Sequence, residues 1–219
     1  MNKIRSKYAC IIADPPWNVQ QRGNYGAVNH YDLMTLDQIK AMDVGSLAAD
    51  DSFCWLWCTA GTLRDAYGVL ESWGFRPVSI YCWFKTNLGL GNYLRNCCEF
   101  IVIGARGKAK FRFHSQPNFA YLPVQDHSHK PEEIFATVER CCEGPYLELF
   151  ARRRMPGWDV WGNEIDSDVV IPRFPVPSYS EKACKNYTQE EMDAAVRDPV
   201  IKDLGANKKK ERHAKTKEA

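Results

Sequence analysis

Four consecutive residues, Asp14-Pro15-Pro16-Trp17, combine groups that suit a planar ligand with an exocyclic amino group. They follow a continuous apolar run, Tyr8–Ala13, which has the length and composition of a buried strand. An ionised aspartate only accepts hydrogen bonds, and the two prolines fix φ and remove two backbone donors, so carbonyl oxygens are left to accept. The tryptophan adds a flat ring for stacking. Adenine is a ligand of this description.

A structural interpretation of the same residues stays open beside this one. Asp14 could cap a turn and Trp17 could belong to the core, since a short motif is only a hypothesis until its context is known. Gly89-Leu90-Gly91 is the nearest approach to a dinucleotide-binding fingerprint. Leu94 stands where that fingerprint needs a third glycine, so this segment is predicted to be a loop.

The elements that must position the tetrapeptide alternate between strands and helices. Further strands are predicted at Ser52–Thr59, Val78–Phe84, Glu99–Gly104, Tyr146–Ala151 and Trp158–Trp161. Helices are predicted from Thr35 towards Leu47, from Thr62 to Gly74 and from Pro131 to Gly144. This order predicts an α/β fold with a doubly wound, mostly parallel sheet. In such a sheet Asp14 lies at the carboxyl ends of the strands, where ligands bind.

Length and composition favour one globular domain with an appendage. The chain has 219 residues, of which 45% are apolar and 26% charged. We predict a core domain over residues 1–171, followed over 172–219 by a Pro-rich linker, a short helix and a basic tail. The tail, Gly205–Ala219, carries six lysines and arginines against two glutamates. It suits either contact with a polyanion or a solvated terminus.

The cysteines and the apolar runs bear on the cellular compartment. Nine cysteines without a CxxC pair, most of them inside apolar runs, indicate buried free thiols and a reducing compartment. No apolar run approaches the roughly 18 residues of a membrane helix, and no signal-peptide pattern is present. These features predict a cytoplasmic protein that does not associate with a membrane.

Several ordered segments resemble the MT-A-type S-adenosylmethionine-dependent adenine amino-methyltransferases, in particular their bacterial and phage DNA adenine methyltransferase branch. Asp14-Pro15-Pro16-Trp17 after the first strand is similar to that family's DPPW signature. The other matching segments are His30–Thr35, Trp83–Asn87, Asn92–Asn96 with Glu99 and Gly104, Ser128–Pro131, Glu148–Arg152 and Trp158–Glu164. The resemblance covers Tyr8 to Ile165. It implies a Rossmann-like class I methyltransferase fold with a permuted order, the catalytic strand first and the cofactor strand last.

The resemblance also implies an activity and a role for each matching residue. The activity is transfer of a methyl group from S-adenosylmethionine to the N6 amino group of adenine in nucleic acid. Asp14, Pro15, Pro16 and Trp17 would lie at the reacting amino group, with Asp14 and the Pro15 carbonyl accepting its hydrogens. The residues implied at the target base are Tyr31, Lys85, Asn96 and Glu99. Those implied at the cofactor are Ala13, Asp14, Lys130, Glu148, Phe150, Arg152, Asn163 and Glu164.

DNA is the predicted polymer, because the chain lacks the long N-terminal regions of the messenger-RNA enzymes, and RNA is the alternative. The resemblance allows a homodimer or a heterodimer with a related subunit. No metal site is predicted, because His114, His127 and His129 lack the CxxC or HxxxH partners of a zinc site. Two other functions stay open: a non-catalytic nucleic-acid-binding subunit, and a methyltransferase for a small molecule or protein side chain. A cluster that suits either a phosphate-and-stacking surface or a charged edge strand consists of Lys108, Lys110, Phe111, Arg112 and Phe113.

Overall fold

The computed structural model describes residues 7–18, 33–86, 89, 93–124, 129–163, 165–171 and 174. Within them the strands are β1 (Tyr8–Ala13), β2 (Ala48–Cys58), β3 (Arg76–Lys85), β4 (Cys98–Arg106), β5 (Phe119–Leu122), β6 (Tyr146–Leu149) and β7 (Trp158–Trp161). The helices are α1 (Leu36–Lys40), α2 (Leu63–Ser72) and α3 (Glu133–Cys141), with a short 3-10 helix at Val44–Ser46. None of these helices has the length and apolar character needed to span a membrane.

The seven strands form one sheet in the order β5-β3-β4-β2-β1-β6-β7. All neighbouring pairs are parallel except those of β4, which runs antiparallel to both β2 and β3. The Gly/Asn-containing connection predicted between β3 and β4 suits this arrangement, because antiparallel neighbours need no crossover helix. The predicted α/β class with a doubly wound, mostly parallel sheet is confirmed.

Helices cover both faces of the sheet, so its central strands are apolar on both sides. On one face α1 and α2 pack against β1 and β2, where Ile39, Leu56 and Leu70 are buried together. On the other face α3 packs through Val138 against a cluster that includes Trp55. The thiols buried in these two layers belong to Cys10, Cys54, Cys58, Cys141 and Cys142, and they are free, as predicted.

The first helix is shorter than predicted. Its capping box is present: the Gln38 N–H donates to the Thr35 hydroxyl at 3.2 Å, and the Thr35 N–H donates to the Gln38 side chain at 2.8 Å. The helix nevertheless ends at Lys40 instead of continuing towards Leu47. Asp43 begins a separate 3-10 turn by accepting a hydrogen bond from the Ser46 N–H at 3.2 Å. Aspartate competes in this way with helix continuation.

Three further features of the fold differ from the prediction: one additional strand, the end of one helix and the extent of the core. Strand β5 was not predicted, because Phe119 and Tyr121 are both apolar residues left exposed on an edge strand, which hides the usual alternation. Helix α3 ends at Cys141, before Gly144. Phe174 is buried with the core residue Ile171, so packing continues past the predicted domain boundary. Of the linker, helix and tail predicted over 172–219, Phe174 alone is among the described residues.

Candidate active site

Asp14 follows β1 directly, at the sheet edge formed by the carboxyl ends of the parallel strands. Its N–H donates to the Leu149 carbonyl oxygen on β6 at 3.4 Å. The chain continues from β1 to β2 on one side, and β6 joins β1 on the other side, so the strand order switches here. Crevices at such switch points are where doubly wound sheets bind ligands.

A cavity of about 340 Å³ opens between the ends of β1 and β6 and the segment that leads into α3. It is lined by six of the eight residues predicted to contact the cofactor, namely Ala13, Asp14, Lys130, Glu148, Phe150 and Arg152. These six come from three separate parts of the sequence. Their convergence on one cavity agrees with the prediction that they share a ligand, and their binding role stays a prediction.

Beside the cavity, four charged side chains of alternating sign form a charge chain, Asp14–Lys130–Glu99–Lys85. The Lys130 ammonium donates to Asp14 Oδ2 at 2.7 Å and lies 3.3 Å from Glu99 Oε2. Glu99 Oε1 accepts a hydrogen bond from Lys85. Both ammonium groups also lie over aromatic rings: Lys85 Nζ is 4.8 Å from the Trp83 ring centroid, and Lys130 Nζ is 5.3 Å from that of Trp57. Residues predicted to touch the target base and the cofactor are thus joined in one network.

Burial and pairing set the protonation states in this chain. Burial raises the pKa of Asp14, and the Lys130 ammonium opposes that rise without cancelling it. Burial also raises the pKa of Glu99, but Lys130 and Lys85 outweigh burial and leave this pKa below its ordinary value. Burial lowers the pKa of Lys130, and the two carboxylates more than reverse this effect. Lys130 therefore stays charged and favours the ionised form of both carboxylates.

The tetrapeptide differs from the prediction in two respects. The Pro15 carbonyl accepts the Trp17 N–H at 2.8 Å and the Pro16 carbonyl accepts the Met34 N–H at 2.9 Å, so each oxygen has one bond and one lone pair left. The Trp17 ring is buried in the core and donates through Nε1 to the Trp57 carbonyl oxygen at 2.9 Å. The structure therefore contradicts the expectation of an open stacking face at Trp17, whose ring instead fixes the turn.

Glu148 lines the cavity from the end of β6, and its Oε2 is buried without a hydrogen-bond partner among the described residues. Burial raises the pKa of this carboxyl to about 7, and the neighbouring Arg153 and Arg152 only partly oppose the rise. A buried acceptor without a donor is costly, so such a group in a native protein calls for a partner such as a water or a ligand. Glu148 is therefore suited to a ligand that brings a hydrogen-bond donor into the cavity.

Glu148→Gln is expected to change the pH dependence of stability in the protein without ligand. The raised pKa means that the folded state binds more protons than the unfolded state between about pH 4.5 and 7, so stability falls as the pH rises through this window. Glutamine does not ionise. Thermal unfolding from pH 5 to 8 should show the variant gaining on the original protein as the pH rises. A difference in melting temperature that does not depend on pH would contradict the assignment.

The chain after β6 turns sharply at Phe150, which has a left-handed φ of 67°. This conformation costs on the order of 1–3 kcal/mol in a residue other than glycine, and it is typical of functional sites. Here it places the Phe150 ring edge-on to Trp161, with 5.4 Å between the ring centroids. Gly162 packs so closely on the Ala151 backbone that a Cβ there would overlap its carbonyl oxygen. The ends of β6 and β7 are thus held together beside the cavity.

Sequence reasoning missed several residues at this site. Arg153 was not among the predicted cofactor residues, yet it lines the cavity, hydrogen-bonds to His129 and donates to the Lys130 carbonyl oxygen at 3.2 Å. The sequence signal that could have identified Arg153 was its position next to Arg152. Both follow the end of β6, where consecutive side chains no longer alternate between the two faces of the sheet. The other lining residues outside the prediction are Ile12, Trp57, His129, Pro131, Ile134 and Phe135.

Four further predicted residues, Lys85, Asn96, Glu99 and Asn163, are described by the structure and do not line the cavity. Asn96 is exposed before β4, and Asn163 follows the end of β7; among the described residues, neither lines the cavity. Lys85 and Glu99 reach the site only through Lys130. Tyr31 and Glu164 lie outside the described residues, so their roles stay predictions.

The predicted phosphate-and-stacking surface around Lys110 lies at the opposite edge of the sheet. It follows β4, the antiparallel strand, which ends beside the first residues of β3. The Arg112 N–H donates to the Cys141 carbonyl oxygen at the far end of α3, at 2.7 Å. Phe111 packs on Trp55 with 6.4 Å between parallel ring centroids, so this ring is not available to stack on a base. The cluster therefore lies away from the cavity, and its contact with phosphate stays a prediction.

Comparison with known proteins gives consistent relatives. The chain is 30% identical over 191 residues to the N(6)-adenosine-methyltransferase catalytic subunit METTL3 of Homo sapiens, a match that covers 82% of this chain and 32% of the relative. It is 28% identical over 192 residues to the Type II methyltransferase M.MunI of Mycoplasma sp, covering 77% of this chain and 82% of the relative. The chain thus spans about a third of the length of the human relative. Because the MT-A70 family model matches residues 8–164, which include the tetrapeptide and the whole cavity, the chain belongs to the MT-A70 family.

Proposed function

We propose that this protein transfers a methyl group from S-adenosylmethionine to the N6 amino group of adenine in nucleic acid. The observation that carries the proposal is the position of the Asp14 carboxylate, which lines the cavity and is hydrogen-bonded there by Lys130. Membership of the MT-A70 family and a relative named as an N(6)-adenosine-methyltransferase support the same activity. DNA stays the predicted polymer, with RNA as the alternative.

The cavity has the donors and acceptors that S-adenosylmethionine requires. Glu148 Oε2, which has no hydrogen-bond partner in the described part of the chain, is suited to a ribose hydroxyl or the ligand's ammonium group, and the Arg152 guanidinium is suited to its carboxylate. The Phe150 ring supplies an apolar wall. When bound, this cofactor supplies an electrophilic methyl group. The role of the protein is to hold that group in line with the acceptor nitrogen, which is a positioning effect.

Asp14 is placed to make the acceptor nitrogen reactive. The lone pair of an adenine amino group is delocalised into the ring, so the group is a poor nucleophile. Lys130 bonds Asp14 Oδ2, and the mechanism assigns Oδ1 and the remaining lone pair of the Pro15 carbonyl to the two N–H hydrogens. Accepting both hydrogens favours a pyramidal nitrogen and stabilises the positive charge that develops on it, as electrostatic catalysis requires. The methylated nitrogen is positively charged and acidic, and it then releases one proton to solvent water.

The test is methyl transfer from labelled S-adenosylmethionine to three separate polymers: duplex DNA, single-stranded DNA and RNA, all unmethylated. We expect label in adenine of one polymer, and none when Asp14→Ala replaces the original protein. A duplex substrate must also release its base from the stack, at a cost of a few kcal/mol, so single strands could react faster. Cofactor binding without transfer to any polymer would point to a missing partner or a different acceptor. Absence of cofactor binding would contradict the proposal and favour a non-catalytic subunit.

A further inference from the structure

Tyr93, Leu94 and Arg95, here called the 93–95 segment, lie just before β4, whose first residues are at the sheet edge that carries Asp14. Glu99, near the start of β4, is bonded to Lys130, which in turn is bonded to Asp14. The 93–95 segment is therefore joined, through the few residues before Glu99, to the charge chain that contains the candidate catalytic carboxylate of Asp14. The sequence resemblance assigns no role to these three residues.

The side chains of the 93–95 segment have unusually large solvent-exposed fractions. Tyr93 is 100% exposed and Leu94 82% exposed, the two highest values among the exposed large apolar residues described. Arg95 is also exposed. Single apolar residues on a surface need no explanation, but adjacent tyrosine and leucine side chains with this exposure, beside Arg95 and shortly before Glu99 of the charge chain, indicate a contact surface.

The backbone that carries the segment is anchored at its base. The Lys85 N–H donates to the Cys97 carbonyl oxygen and the Gly89 N–H donates to the Asn96 carbonyl oxygen, both at 2.7 Å. A Cβ at Gly89 would lie only 2.8 Å from that Asn96 oxygen, so the close approach requires glycine. Two backbone hydrogen bonds thus hold Asn96 and Cys97, the residues that directly follow the 93–95 segment.

The charges at this edge distinguish Arg95 from its neighbours. The ammonium groups of Lys85 and Lys130 are paired with Glu99 and Asp14. Arg95 has no acidic partner among the described residues, so its charge is available to an anion. The basic cluster around Lys110 cannot serve the site, because it lies at the opposite edge of the sheet. Arg95 is therefore better placed than that cluster to contact a phosphate near the target base.

We propose that the 93–95 segment binds the single-stranded nucleic acid next to the target base, with Tyr93 stacking on a neighbouring base and Arg95 contacting a backbone phosphate. This proposal rests on the proposed function and specifies how its substrate is held. An aromatic ring beside a cation is the combination that binds single strands without requiring a sequence. Two exposed apolar residues are too small an area for a stable protein interface, which buries about 800 Å² on each partner.

The test is binding of fluorescein-labelled single-stranded oligonucleotides of about 12 nucleotides, one DNA and one RNA, each containing adenine. Tyr93→Ala should weaken binding of the preferred polymer by about tenfold, the effect of one lost stacking contact, and Tyr93→Phe should restore it. Arg95→Ala should lower the salt dependence of binding by the equivalent of about one phosphate contact. Tyr67→Ala on α2 and Lys110→Ala at the opposite edge are the matched controls, and both should bind as the original protein does.

Equal binding of either oligonucleotide by Tyr93→Ala and the original protein would overturn the proposal. So would a change of oligomeric state in Tyr93→Ala with nucleic-acid binding intact, because the segment would then be a protein interface. Failure of the original protein to bind either oligonucleotide would also overturn it. Weaker binding by Tyr93→Ala supports the proposal even if the original protein transfers no methyl group, and in that case only the proposed function fails.

Discussion

Asp14→Asn is expected to slow methyl transfer by about 10²–10³-fold at saturating cofactor, the usual effect of removing one charge-stabilising group from an active site. Asparagine keeps the size of the side chain but replaces one acceptor oxygen with a donor, and it removes the negative charge that faces the developing ammonium. It also removes the anionic partner of Lys130 at 2.7 Å. The measurement is the single-turnover rate, which separates chemistry from cofactor binding and product release.

Glu132→Gln is the matched control for this prediction. Glu132 is also a carboxylate near the cavity, but its side chain is 51% exposed and its nearest cation is Arg153, with 3.5 Å between Nε and Oε1. Loss of this charge should change the single-turnover rate by less than a few-fold, because an exposed ion pair contributes little. An Asp14→Asn rate within tenfold of the original would show that Asp14 is not the group that activates the nitrogen.

The position of Asp14 was predictable because the information is local. A short apolar run followed by two prolines must end a buried strand, and strand ends in doubly wound sheets form the ligand crevice. The same local pattern could not decide the role of Trp17. Its ring is buried because Trp57, 40 residues away, offers a carbonyl acceptor at 2.9 Å. Such a partner is a property of the folded chain, so periodicity and spacing do not reveal it.

The charge chain and the basic cluster around Lys110 likewise depend on contacts and strand directions that local sequence patterns do not reveal. Lys130 is 116 residues from Asp14 in sequence, and nothing in the spacing of the two residues indicates a contact at 2.7 Å. Lys110 follows a strand, and the sequence does not state the direction of that strand. Because β4 runs antiparallel to its neighbours, the residues after it emerge at the edge opposite to Asp14. The antiparallel direction of β4 therefore separates the Lys110 cluster from the site around Asp14.

Lys130→Met is expected to move the acid limb of the pH–rate profile to higher pH by about one unit or more, the effect of removing an opposite charge within hydrogen-bond distance. Burial already raises the pKa of Asp14, and Lys130 is the main group that opposes it. Without the ammonium, Asp14 becomes protonated at a higher pH, so it no longer presents a negative charge to the amino group or reliably accepts the N–H hydrogen assigned to it. The measurement is the pH dependence of the single-turnover rate at saturating cofactor.

The stability of Lys130→Met should depend on pH in the corresponding direction. Lys130 lowers the pKa of Glu99 and thereby stabilises the folded state above the ordinary pKa of about 4.5, a contribution that is lost as the pH falls through the lowered value. The variant should therefore be less stable than the original protein above about pH 5, with a difference that shrinks in acid as the carboxylates become protonated. Thermal unfolding across this pH range measures the difference.

Lys85→Met separates the role of Lys130 from the general loss of a charge. Lys85 is bonded to Glu99, whereas Lys130 contacts both Glu99 and Asp14. Lys85→Met should therefore destabilise the protein but leave the acid limb of the pH–rate profile near its original position. Lys130→Arg keeps the charge beside Asp14, so it should also leave the acid limb near its original position. Equal shifts of the limb in Lys85→Met and Lys130→Met would mean that the titration belongs to Glu99. The catalytic carboxylate would then have to be sought on β4 instead of after β1.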